Sequence, residues 1–308
     1  MQLLANSEAE SGIFTAAEML LSGQGGLTAC VEGISLVERD PGVRSVGYGG
    51  WPNILGEMEF DAAVMDGDTR QIGAVGGLKG FLSAVRVALA VKDKSQHEIL
   101  VGEGAAIFAK SMGFEAENTL YPPSRETWWA KLREVLSEEE MDRFPNIDLS
   151  AVNKLITDPE KVRDTTVFLA QDTDCGLHVA TSTSGWAWKH PGRLGDSPIP
   201  GAGFYADSRY GAAACTHTGE MTIRTSTART IVLCLQMGMK LDLAIDFAVK
   251  DLLELSTGFL GGVVIHALDT YGNHRIANCQ CEEDIFYWYW DDTLSQPEKR
   301  LAEPWREL

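Results

Sequence analysis

Positive charge is scarce in this chain. Among 308 residues, 26 Lys and Arg stand against 44 Asp and Glu, for a formal net charge of −18 at pH 7. Nucleic acid and anionic membranes both bind through clustered cations, so neither is expected as a partner. An anionic substrate would need a local cation, which draws attention to any arginine in a glycine-rich loop. Long hydrophobic runs are missing too: none reaches the roughly 18 apolar residues of a membrane span. The opening residues, Met1 to Phe14, have no basic n-region and no apolar h-region, so a cytoplasmic protein is expected unless a leader has been removed. Cysteine is sparse and unpatterned. Cys30, Cys175, Cys215, Cys234, Cys279 and Cys281 form no CxxC pair and no metal-ligand spacing with the histidines. Cys279-Gln280-Cys281 is too tight for an ordinary bridge, and free thiols in a reducing compartment are expected.

What is present suits one large soluble domain: 44% hydrophobic and 23% charged residues. Residues 15–38 read as an amphipathic helix interrupted near Gly23-Gln24-Gly25-Gly26. Phe60 to Met65 and Ile72 to Val75 read as short buried strands, and residues 81–91 and 103–112 as helices flanking a strand at Ile99–Val101. Residues 117–163 carry Pro122-Pro123 and the acidic Glu138-Glu139-Glu140, and are expected to hold a few surface helices and a partly mobile linker. Strand character then returns in VFLAQD and LHVATST, around the turn Asp174-Cys175-Gly176, and again over Gly203 to Cys215. Two helices are expected near 219–237 and 240–256, and a last hairpin from Gly261–Ile265 and His274–Ala277. No internal repeat is evident. Two β-rich halves with helices outside them predict an α/β (α+β) fold, a four-layer αββα sandwich closed across the linker as one domain of residues 1–308.

Asp164-Thr165 stands at the junction of the halves. A threonine hydroxyl is a weak nucleophile without a base beside it. If the bond before Thr165 were cut, the new α-amino group, with an ordinary pKa of about 7.7–8.0, would be that base. Downstream lie Thr181-Ser182-Thr183-Ser184-Gly185, then Gly192-Arg193-Leu194-Gly195-Asp196-Ser197-Pro198, and Gly211 to Thr216. Upstream lie Ser45-Val46-Gly47-Tyr48-Gly49-Gly50, Phe60 through Gly67, Gly73-Ala74-Val75 and Leu100 through Ala105. Arg193 and Asp196, three apart on one loop, suit a ligand with opposite charges on one carbon.

In this order and spacing the blocks resemble the glycosylasparaginase and isoaspartyl peptidase/asparaginase family of N-terminal-nucleophile hydrolases, over most of the chain. The resemblance implies self-cleavage at Asp164–Thr165 into an α chain (1–164) and a β chain (165–308), paired into (αβ)2. It implies Thr165 as nucleophile and Thr183 beside its hydroxyl. It also implies Arg193 on the substrate α-carboxylate, Asp196 on the α-ammonium, and Thr216 with the N–H of His217 as oxyanion hole. The substrate implied is a small β-aspartyl amide, N4-(β-N-acetylglucosaminyl)-L-asparagine first. An isoaspartyl dipeptidase or L-asparaginase is the alternative. No metal or organic cofactor is called for, because the terminal amine moves the proton. Four positions depart from the pattern. Arg163 replaces a common histidine, and Thr166-Val167 an aliphatic-Gly pair. His217 replaces a glycine, where a left-handed backbone would be strained, and Ala5-Asn6-Ser7-Glu8 lacks the pocket tryptophan of glycosylasparaginases. These departures motivate a third alternative, a binding scaffold that keeps the pocket and does not cut itself.

Overall fold

The computed structural model describes residues 1–156 and 165–305. Arg163 and Asp164 therefore lie outside the described residues. The first half runs β1 (Gln2–Asn6), α1 (Glu10–Leu21), α2 (Gly26–Arg39), β2 (Phe60–Asp66), β3 (Ile72–Leu78), α3 (Ala84–Lys94), β4 (Ile99–Val101) and α4 (Gly102–Ser111). The expected interruption in the first helix is real: Gly23 and Gly25 adopt φ of +75° and +84° and separate α1 from α2. Three further helices follow, α5 (Pro122–Val135), α6 (Glu138–Arg143) and α7 (Leu149–Ile156). The prolines seen in the sequence open α5 at positions where no N–H is needed. Ser137 and Glu140 close a reciprocal capping box on α6.

The second half runs β5 (Thr166–Gln171), β6 (Leu177–Thr183), β7 (Phe204–Asp207), β8 (Gly211–His217), α8 (Gly219–Thr225), α9 (Thr227–Gln236), α10 (Leu241–Leu253), β9 (Val263–Asp269), β10 (His274–Cys279), β11 (Phe286–Asp291) and β12 (Glu298–Leu301). The single helix expected over 219–237 is broken at Ser226, which takes φ +50°. There the Thr225 and Thr227 hydroxyls bond each other at 2.6 Å, a local alternative to helical bonding that Thr and Ser favour.

The strands form two sheets. One has eight strands in the order β12-β11-β1-β5-β6-β2-β3-β4, the other four in the order β10-β9-β8-β7. The inner strands of the large sheet are buried on both faces, and the period-two alternation divides their apolar residues between two cores. Leu3, Ala62, Val64, Phe168 and Ala170 pack with Ile13, Ile34, Val85 and Val87 of α1 to α3. Their neighbours Leu4, Ala63, Met65, Val167, Leu169 and Val179 meet Phe204, Ala212, Ala214, Val264 and Leu268 of the small sheet. The other face of the small sheet, Ala213, Cys215, Val263 and Ile265, packs with Met221, Ile231, Ala244, Ile245 and Val249 of α8 to α10. A smaller cluster of Ile54, Leu132, Leu136 and Val152 sits under α5 and α7. Among the described residues, no helix is long and apolar enough to cross a membrane.

Candidate active site

Alternation along β5 and β6 decides where the threonines point. Val167 and Val179 face the small sheet, so Thr165, Thr181 and Thr183 share that face, two and four residues away. Ser182 and Ser184 face the other way. Ser182 donates to Glu38 at 2.7 Å and Ser184 to the Ser45 carbonyl at 2.9 Å. The Ser45–Gly50 motif is thus a support for β6: a side chain at Gly50 would place its Cβ 2.3 Å from Ser184 Oγ. The antiparallel register pairs Thr166 with Ser182, and its next step sets Thr165 across from Thr183. Thr183 Oγ1 accepts the Gly185 N–H at 2.8 Å.

Thr165 is buried, and its hydroxyl lies 3.4 Å from Ser197 Oγ. Asn6, at the end of β1, clamps the head of β5. Its Nδ2 donates to the Thr165 carbonyl at 2.7 Å, while its Oδ1 accepts from Thr166 Oγ1 and Val167 N–H at 3.1 Å each.

The loop bearing Arg193 and Asp196 is held by the start of β2. Buried Asp61 accepts from Gly77 N–H at 2.7 Å and Gly195 N–H at 3.2 Å, and Glu59 accepts from Gly192 N–H. Arg193 makes a bidentate pair with Glu220 (Nε–Oε1 3.0 Å, Nη2–Oε2 2.9 Å) and lies 4.2 Å over the Trp186 ring. Asp196 is buried and accepts from Thr222 Oγ1 at 2.6 Å. Burial pushes its carboxyl up to about 6, against the Thr222 bond and the nearby Arg193 charge. A side chain at Gly219 would put its Cβ 2.7 Å from Asp196 Oδ1, so glycine makes the room this carboxylate occupies.

Thr216 and His217 end β8. His217 takes φ +80°, a left-handed conformation that a non-glycine residue adopts only with strain. Its Nδ1 lies 3.0 Å from Thr216 Oγ1, and its Nε2 3.7 Å from Glu283 Oε1. A cavity of about 480 Å3 is walled by Thr165, Thr216 and His217, with Asn6, His266 and Glu283 beside them. His266 is wholly buried. Desolvation first, and the adjacent His217 second, push its imidazole down to about 3, so it is neutral near pH 7.

The structure therefore places Thr165, Thr216 and His217 on one cavity wall and Thr183 across the ladder from Thr165. Arg193 and Asp196 are not part of that wall; Ser197, next to Asp196, links their loop to the Thr165 hydroxyl. Asp164 lies outside the described residues. Glu220, His266 and Glu283 were not singled out from the sequence, and Asn6 and Ser197 stood within quoted segments without a role; topology sets Asn6, Glu220, His266 and Glu283 here.

Comparison with known proteins adds the following. The family profile described as Asparaginase matches residues 6–294. A Drosophila erecta protein provisionally named N(4)-(beta-N-acetylglucosaminyl)-L-asparaginase is 35% identical over 296 residues, covering 86% of this chain and 73% of its own. An Elizabethkingia miricola N(4)-(beta-N-acetylglucosaminyl)-L-asparaginase is 37% identical over 238 residues, with 77% and 65% covered. A plant-type L-asparaginase of Pyrococcus horikoshii is 35% identical over 277 residues, with 88% and 85% covered.

Proposed function

The chain belongs to the asparaginase family, and from that premise we propose a self-processing threonine amidohydrolase built as a four-layer αββα sandwich. In maturation the Thr165 hydroxyl attacks the carbonyl of Asp164. The peptide C–N bond breaks, its nitrogen becomes the new Thr165 α-amine, and water hydrolyses the transient ester. In turnover that amine takes the hydroxyl proton as Thr165 Oγ1 attacks the side-chain amide carbonyl of an asparagine derivative. The proton passes to the departing amine or ammonia, a β-aspartyl ester remains, and water releases aspartate. Thr183 supports the hydroxyl, Arg193 and Asp196 take the substrate's α-carboxylate and α-ammonium, and Thr216 with the His217 N–H receives the oxyanion. Such a donor contributes about 3 kcal/mol in comparable sites.

One observation carries this reading. Thr165 heads a fully buried strand, faces the gap between the sheets, and shares its cavity with Thr216 and His217. A denaturing gel with N-terminal sequencing tests it. Two fragments, one beginning at Thr165, are expected from the wild type, and one inert full-length band from Thr165→Ala. A wild type that stays whole and releases nothing supports the scaffold instead.

N4-(β-N-acetylglucosaminyl)-L-asparagine is the leading substrate. An L-asparaginase or isoaspartyl dipeptidase reading draws on the N-terminal segment lining the cavity, Asn6-Ser7-Glu8, which has no aromatic ring, whereas Phe286 on the same lining offers a ring that a sugar could meet. Ratios of kcat/KM for the glycosylated asparagine, β-Asp-Leu and asparagine decide between them.

A further inference from the structure

At the far end of the β2–β6 ladder from Thr183, a second group of ionisable side chains converges. The register pairs Asp61 with Thr183 at one end and Asp66 with His178 at the other. Five residues of strand, roughly 17 Å, separate the two. Asp66 and Asp68 flank the β2–β3 turn. His178, 5% exposed, projects from β6 between that turn and the β5–β6 turn. One donor atom from each of Asp66, Asp68 and His178 lies within 4.8 Å of the other two.

The histidine is oriented from behind. Asp172 Oδ2 lies 3.1 Å from His178 Nε2, and since a carboxylate only accepts, Nε2 donates there and Nδ1 is the ring nitrogen turned toward Asp66. Asp172 is itself held by the N–H groups of Asp174 and Gly176 at 3.1 and 2.9 Å. Buried Nδ1 has no hydrogen-bond partner and points toward Asp66 Oδ1, 3.4 Å away. Two donors each about 2.1 Å from a tetrahedral Zn2+ stand roughly 3.4 Å apart. Gly176 packs close on the Nε2 side of the ring, where a Cβ would come within 2.9 Å of His178 Nε2, 3.0 Å of Asp68 Oδ2 and 3.1 Å of Asp172 Oδ1, so glycine lets the β5–β6 turn close over these groups.

We infer that Asp66, Asp68 and His178 form a structural site for a divalent transition-metal cation, with Asp172 as the group that fixes the imidazole. One imidazole and two carboxylates suit Zn2+ better than Ca2+ or Mg2+, which take oxygen ligands. A carboxylate on the outer histidine nitrogen is the usual support of such a ligand. The site is separate from the amide chemistry and takes no part in it. It joins a turn of the first half of the chain to a strand of the second.

The test is calorimetric titration of the full-length protein with Zn2+, together with thermal unfolding at fixed protein concentration. One Zn2+ per chain and a raised Tm are expected. Asp68→Asn alters only an exposed ligand and should weaken binding at least tenfold. His178→Gln should abolish it, and Asp172→Asn should weaken it 10- to 100-fold. Hydrolysis by Asp68→Asn protein should match the wild type. Absence of Zn2+ binding by the wild type overturns the inference and leaves His178 as a ring held between Asp66 and Asp172. Zn2+ binding unchanged in Asp68→Asn overturns it as well, by placing the ion elsewhere.

Discussion

Asp196 combines full burial with a short bond from a single hydroxyl, Thr222 Oγ1 at 2.6 Å, and the loss of hydration lifts its carboxyl to about 6. A carboxyl must be ionised to receive a substrate ammonium, so kcat/KM should show an acid limb near 6, separate from the further rise that the Thr165 α-amine adds as it loses its proton near its ordinary 7.7–8.0. Asp196→Asn should remove that acid limb and lower kcat/KM roughly 10- to 100-fold, the worth of a hydrogen bond to a charged group. The pH profiles of the two proteins check this, and a wild-type profile flat from pH 5 to 8 contradicts it. At this scale the sequence was most informative where several blocks stood in order. Thr165, Arg193 and Asp196 stood out because the order of the blocks that hold them resembles the glycosylasparaginase and asparaginase family; each motif alone had a plain structural reading. His217 stood out because the resemblance implies a glycine at its place, and its backbone has φ +80°. Asn6 gave no such signal: it lies 159 residues before Thr165, and only strand order brings them together. Glu220 likewise could not be read as the partner of Arg193 before α8 was placed beside that loop.

Helix α2 ends in a buried acid that ties three elements together. Glu38 Oε1 accepts from Val85 N–H at the start of α3 (2.9 Å) and from Ser182 Oγ on β6 (2.7 Å). Desolvation outweighs those bonds and the nearby Arg39 and Arg86, lifting its carboxyl from 4.5 to about 8. Between those values the folded protein keeps a proton that the unfolded chain has released. Stability therefore falls as pH rises across that window, by about 1.4 kcal/mol per unit from this group. Below about 4.5 both states are protonated and the group has no effect. Glu38→Gln keeps an acceptor oxygen and removes the titration. It should match the wild type in urea unfolding near pH 4.5 and exceed it by a few kcal/mol near pH 8. Equal slopes for the two proteins would show that Glu38 does not titrate in this range. Elements with strong local signals were the readable ones: the β5–β6 hairpin, β8, and the glycine break between α1 and α2. Strand β1 was missed because Gln2–Asn6 is only five residues, apolar on both faces, and nothing local separates such a run from a buried turn of helix. The division of 219–237 into α8 and α9 falls at Ser226, φ +50°, where the Ala228 and Arg229 N–H groups donate to the Ala202 and Gly201 carbonyls at 3.3 and 2.9 Å and the Thr225 and Thr227 hydroxyls bond each other.

Across the whole molecule the two halves of the chain are interleaved. In the eight-stranded sheet, β1 from the first half lies between β11 and β5 from the second, and β6 from the second lies against β2 from the first. Three antiparallel ladders cross from one half to the other: Gln2–Asn6 with Tyr287–Asp291, Gln2–Ala5 with Phe168–Gln171, and Asp61–Asp66 with His178–Thr183. Loss of one peptide bond before Thr165 leaves all three intact, and the helix-facing and inter-sheet cores remain shared between the pieces. Protein cleaved before Thr165, as proposed, should therefore elute as one species from native size exclusion and resolve into two polypeptides only in denaturant. The same topology sets the order of events. β1 gains its neighbours only when residues some 160 and 280 positions later have been placed, which costs loop entropy before any contact is made. The intact precursor meets that requirement within one molecule, whereas separate fragments must also find each other as open, unpaired edges. Refolding the mixed fragments should thus recover much less hydrolysis than refolding the Thr165-intact precursor at equal concentration. Full recovery from the mixed fragments would show that the halves are independent folding units, contrary to the interleaved sheet.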